Sequence, residues 1–318
     1  MSEFRADLEP LVAPGAIDHH VGDMTATVAA DVPLRRVQAS VAAAQQWLPI
    51  DGDPDLSVGE LVETNSTGPL RLGYGAWRDL LLGAQFRNGS GELITAGGRT
   101  VKNVAGYDLT KFMVGQRGVF GKIVTITMRL YKRPAGAILA TFEPNARLIG
   151  KLLPSTTRPQ WAMLTADALL CGYVADALTL DFYETTLAAA DVKPRTIERR
   201  TLEQDIEHRA QLFRGDFRVS VPPAKVADFI AVAKPTKWVA DPAFGIVVGA
   251  GDDLQIRGAA QALSGTASFP RRDGSAGPLF DVPSPAQRQL LERLKKSFDP
   301  DNRLAPLPWQ AQTAQTSS

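Results

Sequence analysis

Gly115, Gly118 and Gly121 stand at even spacing between a short helical signal and a strongly alternating strand. A Rossmann fingerprint needs its glycines in the opposite order, strand before helix, so that the helix N-terminus meets the phosphate. A doubly wound dinucleotide site is therefore excluded here. No G-K-[ST] follows, which excludes a P-loop. On spacing alone, making turns is the commoner use of such glycines.

The flanks extend this local reading. Asp108 is expected to cap a short helix carrying Leu109, Phe112 and Met113, with Gly115 as its C-terminal glycine. Val124, Ile126, Met128 and Leu130 alternate with Thr125, Thr127 and Arg129, which predicts a half-buried strand. Upstream, Met24 to Ala30 reads as a strand. Asp31 and Pro33 then open a helix whose one face is Leu34, Val37, Val41, Ala44 and Leu48. Pro49 and the D-G-D-P-D run end it. Leu80 to Phe86 and Glu92 to Thr95 pair as a hairpin about Asn88-Gly89.

After Pro134 the texture changes. Strands are expected at Leu178–Tyr183, Phe217–Val221 and Gly245–Gly249, and helices at 223–233 and 253–263. The mixture has no Rossmann rhythm and reads as α+β with an antiparallel sheet. P-R-R-D-G-S-A-G at 270–277 reads as a linker. Ser284-Pro285 with Gln287 opens a last helix with a capping box. The expected divisions are 1–134, 135–282, a closing segment at 283–309 and a polar tail at 310–318.

With 318 residues and 44% hydrophobic content, the chain can bury a sizeable core. Its net charge of +1 and lack of a long basic run point away from nucleic acid. No window approaches the roughly 20 apolar residues of a membrane span. The charged start M-S-E-F-R-A-D lacks an apolar core, so no signal peptide is read. A cytoplasmic protein is expected. The single cysteine, Cys171, excludes an internal disulfide and reads as a buried inert thiol.

Candidate chemistry is sparse. The three histidines are His19, His20 and His208. Neither an H-x-H nor an H-x-x-x-H pattern occurs, so no metal site is expected. His208, on a charged helix, is expected to be solvated. Arg214, Arg218 and Arg257 suit a bidentate grip on a small carboxylate, but surface charge is the commoner use. Trp77, Trp161 and Trp238 are expected in packing or interface roles. No catalytic residue stands out.

A second stretch, Ser57 to Gly83, changes the weight of the glycines. Small and polar residues dominate from Asn65 to Gly75. Amides beside glycine can approach a pyrophosphate closely, because no Cβ intervenes. Thr64, Asn65 and Ser66 add neutral hydrogen-bonding side chains, while Arg71 and Arg78 add charge.

Together these stretches resemble the FAD-linked oxidases of type 4, in the vanillyl-alcohol-oxidase superfamily with its PCMH-type FAD-binding domain. The likeness is strongest to the FAD-binding E subunits of bacterial glycolate oxidases. T-N-S-T-G-P-L-R-L-G-Y-G-A-W-R-D-L-L-L-G, Gly97-Gly98-Arg99, V-K-N-V-A-G-Y-D-L-T-K and G-x-x-G-x-x-G-K-I occur in that family's order and spacing. F-D-P-D-N-R-L-A-P, Phe298 to Pro306, resembles its closing motif, with Ala305 and Leu307 in place of the expected asparagine and glycine.

The resemblance implies FAD held extended and non-covalently. Ser57, Val58 and Gly59, then Thr64, Asn65, Ser66 and Gly68, would run along the flavin and pyrophosphate. Tyr74 and Gly75 close that stretch. Gly118, Gly121 and Ile123 would bring backbone groups to the cofactor, with Ile123 near the adenine. Tyr107 and Asp108 would shape the adjoining helix start. V-G-D-M-T-A-T-V-A-A-D-V-P-L aligns after the family's first glycine-rich lobe, so a first domain without that lobe is expected.

The implied function is that of an FAD-binding subunit in a glycolate (2-hydroxy acid) oxidase complex, oxidising glycolate to glyoxylate with the flavin as hydride acceptor. Its implied partners are a catalytic FAD subunit and an iron-sulfur subunit, which would hold it peripherally at the inner membrane. Two alternatives stay open: a stand-alone flavin dehydrogenase of another 2-hydroxy acid or alcohol, and a flavin-free scaffold.

Overall fold

The computed structural model describes residues 9–98, 109–269 and 284–309. The expected linker at 270–277, the tail, Tyr107 and the Asp108 cap lie outside the described residues. The chain divides into two compact units. The first is Met1–Gly68, Tyr74–Arg133 and Pro283–Ser318, and the second is Pro69–Gly73 with Pro134–Val282.

The first unit's strands are β1 (Ile17–His20), β2 (Thr25–Ala29), β3 (Gln46–Trp47), β4 (Leu81–Arg87), β5 (Leu93–Gly97), β6 (Lys122–Arg129) and β7 (Tyr131–Lys132). Five of them form an antiparallel sheet in the order β1-β2-β6-β4-β5, and β3 pairs with β7. Helices α1 (Leu34–Ala42) and α2 (Val58–Glu63) are followed by the single turns α3 (Arg71–Tyr74), of which Arg71–Gly73 belongs to the second unit, α4 (Trp77–Leu80) and α5 (Leu109–Phe112). Ala26, Val28, Ile126 and Met128 on the sheet share one core with Val37, Val41, Leu61, Val62 and Trp77.

The expected half-buried strand is buried on both faces. Thr125 and Thr127 are covered although they alternate with the core residues. Thr27 and Thr127 hydroxyls meet at 2.9 Å, and Thr125 Oγ1 donates to Gln85 Oε1 at 3.0 Å. The chain near residue 11 lies on this polar layer, Leu11 N donating to Gln85 Oε1 at 2.7 Å. Alternation reported polarity correctly, but hydrogen bonding replaces solvent on that face.

Helix α1 starts and ends differently from expectation. Its N-cap is Pro33, and Asp31 Oδ1 instead accepts from Gly15 N at 2.9 Å. The first-turn amides of Leu34 and Arg35 donate to the carbonyls of Leu56 and Pro54, so a neighbouring loop caps the helix. The helix stops at Ala42, and Gln45 at φ 55° turns the chain into β3. Leu48 is buried beyond the helix, tied to Gln38 through both its amide and its carbonyl.

The second unit carries β8 (Gly136–Phe142), β9 (Trp161–Leu164), β10 (Leu169–Ala175), β11 (Thr196–Arg200), β12 (Phe217–Ser220), β13 (Lys237–Asp241), β14 (Ile246–Ala250) and β15 (Thr266–Ser268). These eight form one sheet in the order β11-β8-β10-β9-β13-β14-β12-β15. Its helices are α6 (Ile149–Leu152), α7 (Ala177–Ala189), α8 (Leu202–Leu212), α9 (Val226–Ala233) and α10 (Asp253–Ala262). The expected strand at Leu178–Tyr183 is part of α7. Asp176 caps it by accepting from Thr179 N, and burial falls on Leu180 and Leu187 while Leu178 and Phe182 are exposed. The alternating leucines mimic a strand, but only one of each pair reaches the core.

The chain then returns to the first unit through α11 (Pro285–Phe298), which starts with the expected capping box of Ser284 and Gln287. Cys171 is buried, and burial pushes its thiol pKa up. Among the described residues, no helix is long and apolar enough to cross a membrane.

Candidate functional site

The first-unit site grows from the two ends of α2. At its start, Ser57 forms a capping box with Glu60. Ser57 N and Oγ donate to Glu60 Oε2 at 3.0 and 2.7 Å, and Glu60 N returns a bond to Ser57 Oγ. The Ser57 bonds hold the Glu60 carboxyl below its usual range. Val58 N and Gly59 N donate to the carbonyls of Val32 and Ala30. A Cβ at Gly59 would lie 2.8 Å from the Ala30 oxygen, so only glycine lets α2 seat against β2. The amides of Ser57, Val58 and Gly59 thus have acceptors within the protein. What these residues offer a ligand is the path of the chain.

At the other end, Thr64 Oγ1 donates to Glu60 O at 2.6 Å and Asn65 turns the chain at φ 51°. Ser66 N returns to Leu61 O, and Ser66 O accepts from Trp77 Nε1 at 2.9 Å. Trp77 therefore packs and braces this turn. Gly68 runs against Asp51, 2.5 Å from where a Cβ would stand. Tyr74 sits edge-on between Trp47 and Tyr131, at 5.5 and 5.3 Å between centroids. Gly75, at φ 86°, leads to Ala76, whose amide donates to Asp79 Oδ2.

The glycine run meets the end of α2 directly. Gly115 N donates to Val62 O and Arg117 N to Glu63 O, both at 2.9 Å. Ile123 N reaches Glu63 Oε1 at 3.3 Å. Burial raises the Glu63 carboxyl above its usual range, against the pull of that amide. The buried Gln116 side chain spans the run, accepting from Phe120 N at 3.0 Å and donating to Gly121 O at 2.9 Å. Gly121 is packed on Phe86, and Gly118 adopts φ 75°, where an added Cβ would come within 3.7 Å of Ala305 Cβ. Among the described residues, the amides of Gly118 and Gly121 and the side chains of Asn65 and Ser66 have no protein hydrogen-bond partner.

A feature that sequence reading missed fixes this run from behind. Lys295 Nζ, buried on α11, donates to Val119 O at 3.0 Å, Ala305 O at 2.9 Å and Asp299 Oδ2 at 2.5 Å. Asp299 also accepts from the amides of Arg303 and Leu304. These donors hold its carboxyl below the usual range although burial opposes them. Gly89 of the hairpin packs on Asp299, and its amide donates to Phe298 O at 2.8 Å. Leu307 fills an apolar niche with Val119 and Phe120. The Lys-x-x-x-Asp spacing at 295–299 was the available signal.

The histidines lie elsewhere. His19 Nε2 meets Gln46 Oε1 and His20 Nε2 meets Asp18 Oδ2, each at 2.9 Å, and both are on β1. His208 is not solvated as expected. It is partly buried beside Trp161, its Nε2 is without a hydrogen-bond partner, and burial, then Arg200, lowers its pKa. The Trp161 indole donates to Asp205 Oδ1, and Asp205 pairs with the buried Arg209. Among the described residues, no group of three His, Cys, Asp or Glu could hold a metal. Arg214 is exposed, its Nε donating to Ala210 O, and Arg257 stacks on Phe269. Arg218 is not surface charge: burial, then Arg71, lowers its pKa to about 10.

Residues 13–97 match a family model described as an FAD binding domain. The chain is 32% identical to glycolate oxidase subunit GlcE of Escherichia coli K12 over 127 residues, 39% of this chain and 36% of that protein. It is 36% identical to a D-2-hydroxyglutarate dehydrogenase of Xanthomonas citri pv. viticola over 136 residues, 42% of this chain and 28% of that protein. The match thus spans about a third of these curated relatives. A solved alkyldihydroxyacetonephosphate synthase superimposes with a TM-score of 0.62 at 13% identity, covering 90% of this chain and 64% of that one. The fold is α+β, with a PCMH-type FAD-binding domain, and FAD is the cofactor to which the match points.

The first-unit residues fit such a group. The unpaired amides of Gly118 and Gly121 suit phosphate or ring acceptors, and Asn65 and Ser66 suit neutral polar contacts.

Proposed function

We propose that this chain is the FAD-binding subunit of a complex that oxidises glycolate to glyoxylate, or a related 2-hydroxy acid to its 2-oxo acid. The observation that carries this reading is the junction of α2 with the glycine run, which leaves the Gly118 and Gly121 amides unpaired, in a chain similar to GlcE. FAD, when bound, supplies the acceptor for the hydride of the substrate α-carbon. The protein's part is to hold it: Gly118 and Gly121 through backbone N–H, Asn65 and Ser66 through side chains, with Thr64 and Gly68 shaping the turn. Ser57, Val58 and Gly59 set the course of α2, Tyr74 and Gly75 the turn beyond it, and Ile123 anchors the far end through Glu63.

Its partners in this reading are a catalytic FAD subunit and an iron-sulfur subunit. The chain would work in the cytoplasm, peripheral to the inner membrane through them. The similarity to GlcE, and the 35% identity over 89 residues to glycolate oxidase subunit GlcD of Bacillus subtilis, support this assignment.

A flavin-free scaffold remains the competing account, and one observation favours it. Gly59, Gly68, Gly75 and Gly121 are each demanded by close packing within the protein, so their presence alone does not require a nucleotide. The visible spectrum of the purified chain, alone and co-expressed with candidate partners, separates the two. Flavin bands at stoichiometric occupancy support the proposal, and a colourless protein that releases no FAD in either preparation defeats it.

A further inference from the structure

The turn between β4 and β5 carries the dipeptide Asn88-Gly89. The residue that takes the left-handed conformation in this turn is Gly91, at φ 84°. Backbone conformation therefore does not call for glycine at position 89. Packing does. An added Cβ there would run into the main chain and carboxylate of Asp299, at the C-terminal end of α11. The Gly89 amide donates to Phe298 O at 2.8 Å, so the end of α11 sits directly on it.

Asparagine followed by glycine is the setting in which its side chain reacts most readily, because no Cβ hinders the following amide. In that reaction the Gly89 nitrogen loses its proton and attacks Asn88 Cγ. The new N–C bond closes a cyclic imide, and the side-chain amino group leaves as ammonia. Solvent water then opens the ring at either carbonyl, giving aspartate or isoaspartate. Nothing is oxidised or reduced.

Both partners of the first step are restrained in the fold. The Gly89 proton is held by Phe298 O, so its nitrogen is not free to attack. The Asn88 carboxamide is pinned within the turn. Its Oδ1 accepts from the Ser90 and Glu92 amides, each at 3.0 Å, and its Nδ2 donates to Glu92 Oε2 at 3.0 Å. The second restraint is local, but the first comes from the far end of the sequence. It depends on the seating of α11, which Lys295 secures through Val119 O, Ala305 O and Asp299 Oδ2, and Phe298 through its stacking on Phe112.

We propose that Asn88 is a guarded deamidation site, and that the docking of α11 on Gly89 is its guard. The close approach that demands glycine at position 89 creates the reactive pair and also keeps it unreacted. Once formed, the product works against re-docking. A carboxylate at position 88 has no N–H for Glu92 Oε2, and it sets a second negative charge against that oxygen. Isoaspartate also adds a carbon to the main chain where Asn88 N donates to Glu92 O at 3.1 Å. Release of α11 from the hairpin thus becomes one-way after the reaction has run. None of this rests on the flavin reading.

The test is peptide-mass mapping, with separate quantification of isoaspartate, on the full chain in mildly alkaline buffer beside the free peptide F-R-N-G-S-G-E. Reaction through a locally open state scales with the population of that state, so the parent chain should deamidate at least tenfold more slowly than the peptide. Lys295→Met should speed the reaction at least tenfold over the parent. If that variant fails to fold, Leu307→Ala, which empties the niche beside Val119 and Phe120, takes its place. Gly59→Ala strains α2 in the same unit and serves as the control. Reaction of the parent at the peptide's rate, or a variant of the α11 contacts as protected as the parent, overturns the proposal. So does equal acceleration in Gly59→Ala, which would make global unfolding the route.

Discussion

The amide of Ile123 donates to the carboxyl of Glu63, joining the start of β6 to the end of α2 across 60 residues of sequence. Two backbone bonds, Gly115 to Val62 and Arg117 to Glu63, run beside it. The cost of this junction is a half-buried carboxyl whose pKa is raised chiefly by desolvation. A raised carboxyl pKa means that the folded state binds the proton more tightly, so stability falls as pH rises from the unfolded pKa through the folded one. Glu63→Gln keeps an oxygen acceptor and removes the charge. Its melting temperature should exceed that of the parent at pH 7.5, and the gap should close below pH 4. An equal gap at both pH values would show that ionisation of Glu63 does not matter to the junction.

Lys295→Met should be among the most disruptive single changes in the first unit. It leaves Asp299 buried without its cation and frees the carbonyls of Val119 and Ala305. Breaking a buried pair in this way costs about 3–5 kcal/mol. Urea unfolding of the variant checks it, and a loss under about 1 kcal/mol would mean that the clasp is dispensable.

Gly118 and Gly121 should respond differently to alanine. Gly118 has room for a methyl group but sits at φ 75°, so Gly118→Ala should cost only about 1–2 kcal/mol of stability. Its effect on FAD, followed by quenching of flavin fluorescence, should be larger, at least tenfold in Kd. Gly121→Ala drives a methyl group to 2.7 Å from the Phe86 ring and should cost stability first. Equal flavin affinity in Gly118→Ala and the parent would remove Gly118 from the cofactor site.

Asp241 predicts a stability cost inside the second unit. Its carboxyl is raised from 3.8 to about 6 by burial, against the Phe244 and Ala243 amides, Arg71 and Arg218. The cost is absent below pH 3.8, grows as pH rises to about 6, and is complete above that. Asp241→Asn should therefore be more stable than the parent at pH 7.5, by on the order of 2–3 kcal/mol. His208 runs the other way: its lowered pKa removes stability as pH falls below 6.5, and His208→Leu should flatten that acid limb. Chemical denaturation of both variants at pH 7.5, 6 and 4.5 tests the two signs together.

Elements whose cause is local were legible in the sequence. The hairpin at Asn88-Gly89 is such a case, with Asn88 Oδ1 accepting from Ser90 and Glu92 amides. So is α11, whose capping box lies within four residues. Features set by distant partners were not. Asp31 looks like a cap until Gly15 takes its carboxylate and Leu56 caps the helix instead. Thr125 and Thr127 look solvent-facing until Gln85 and Thr27 meet them. At the site, composition pointed to the glycine runs. It could not show that the Gly59 amide is already spent on Ala30, or that Arg71 and Asp241 share Phe244.

The five residues Pro69–Gly73 belong by their packing to the second unit, while the chain on either side of them belongs to the first. The two units are therefore not interchangeable modules. A fragment cut at residue 134 and expressed alone would lack Leu72 from its core and Arg71 from the Phe244 ring, and Gln160 would face an empty seat. Any lineage that shuffled this second unit onto another partner would have had to carry a stretch of the first with it.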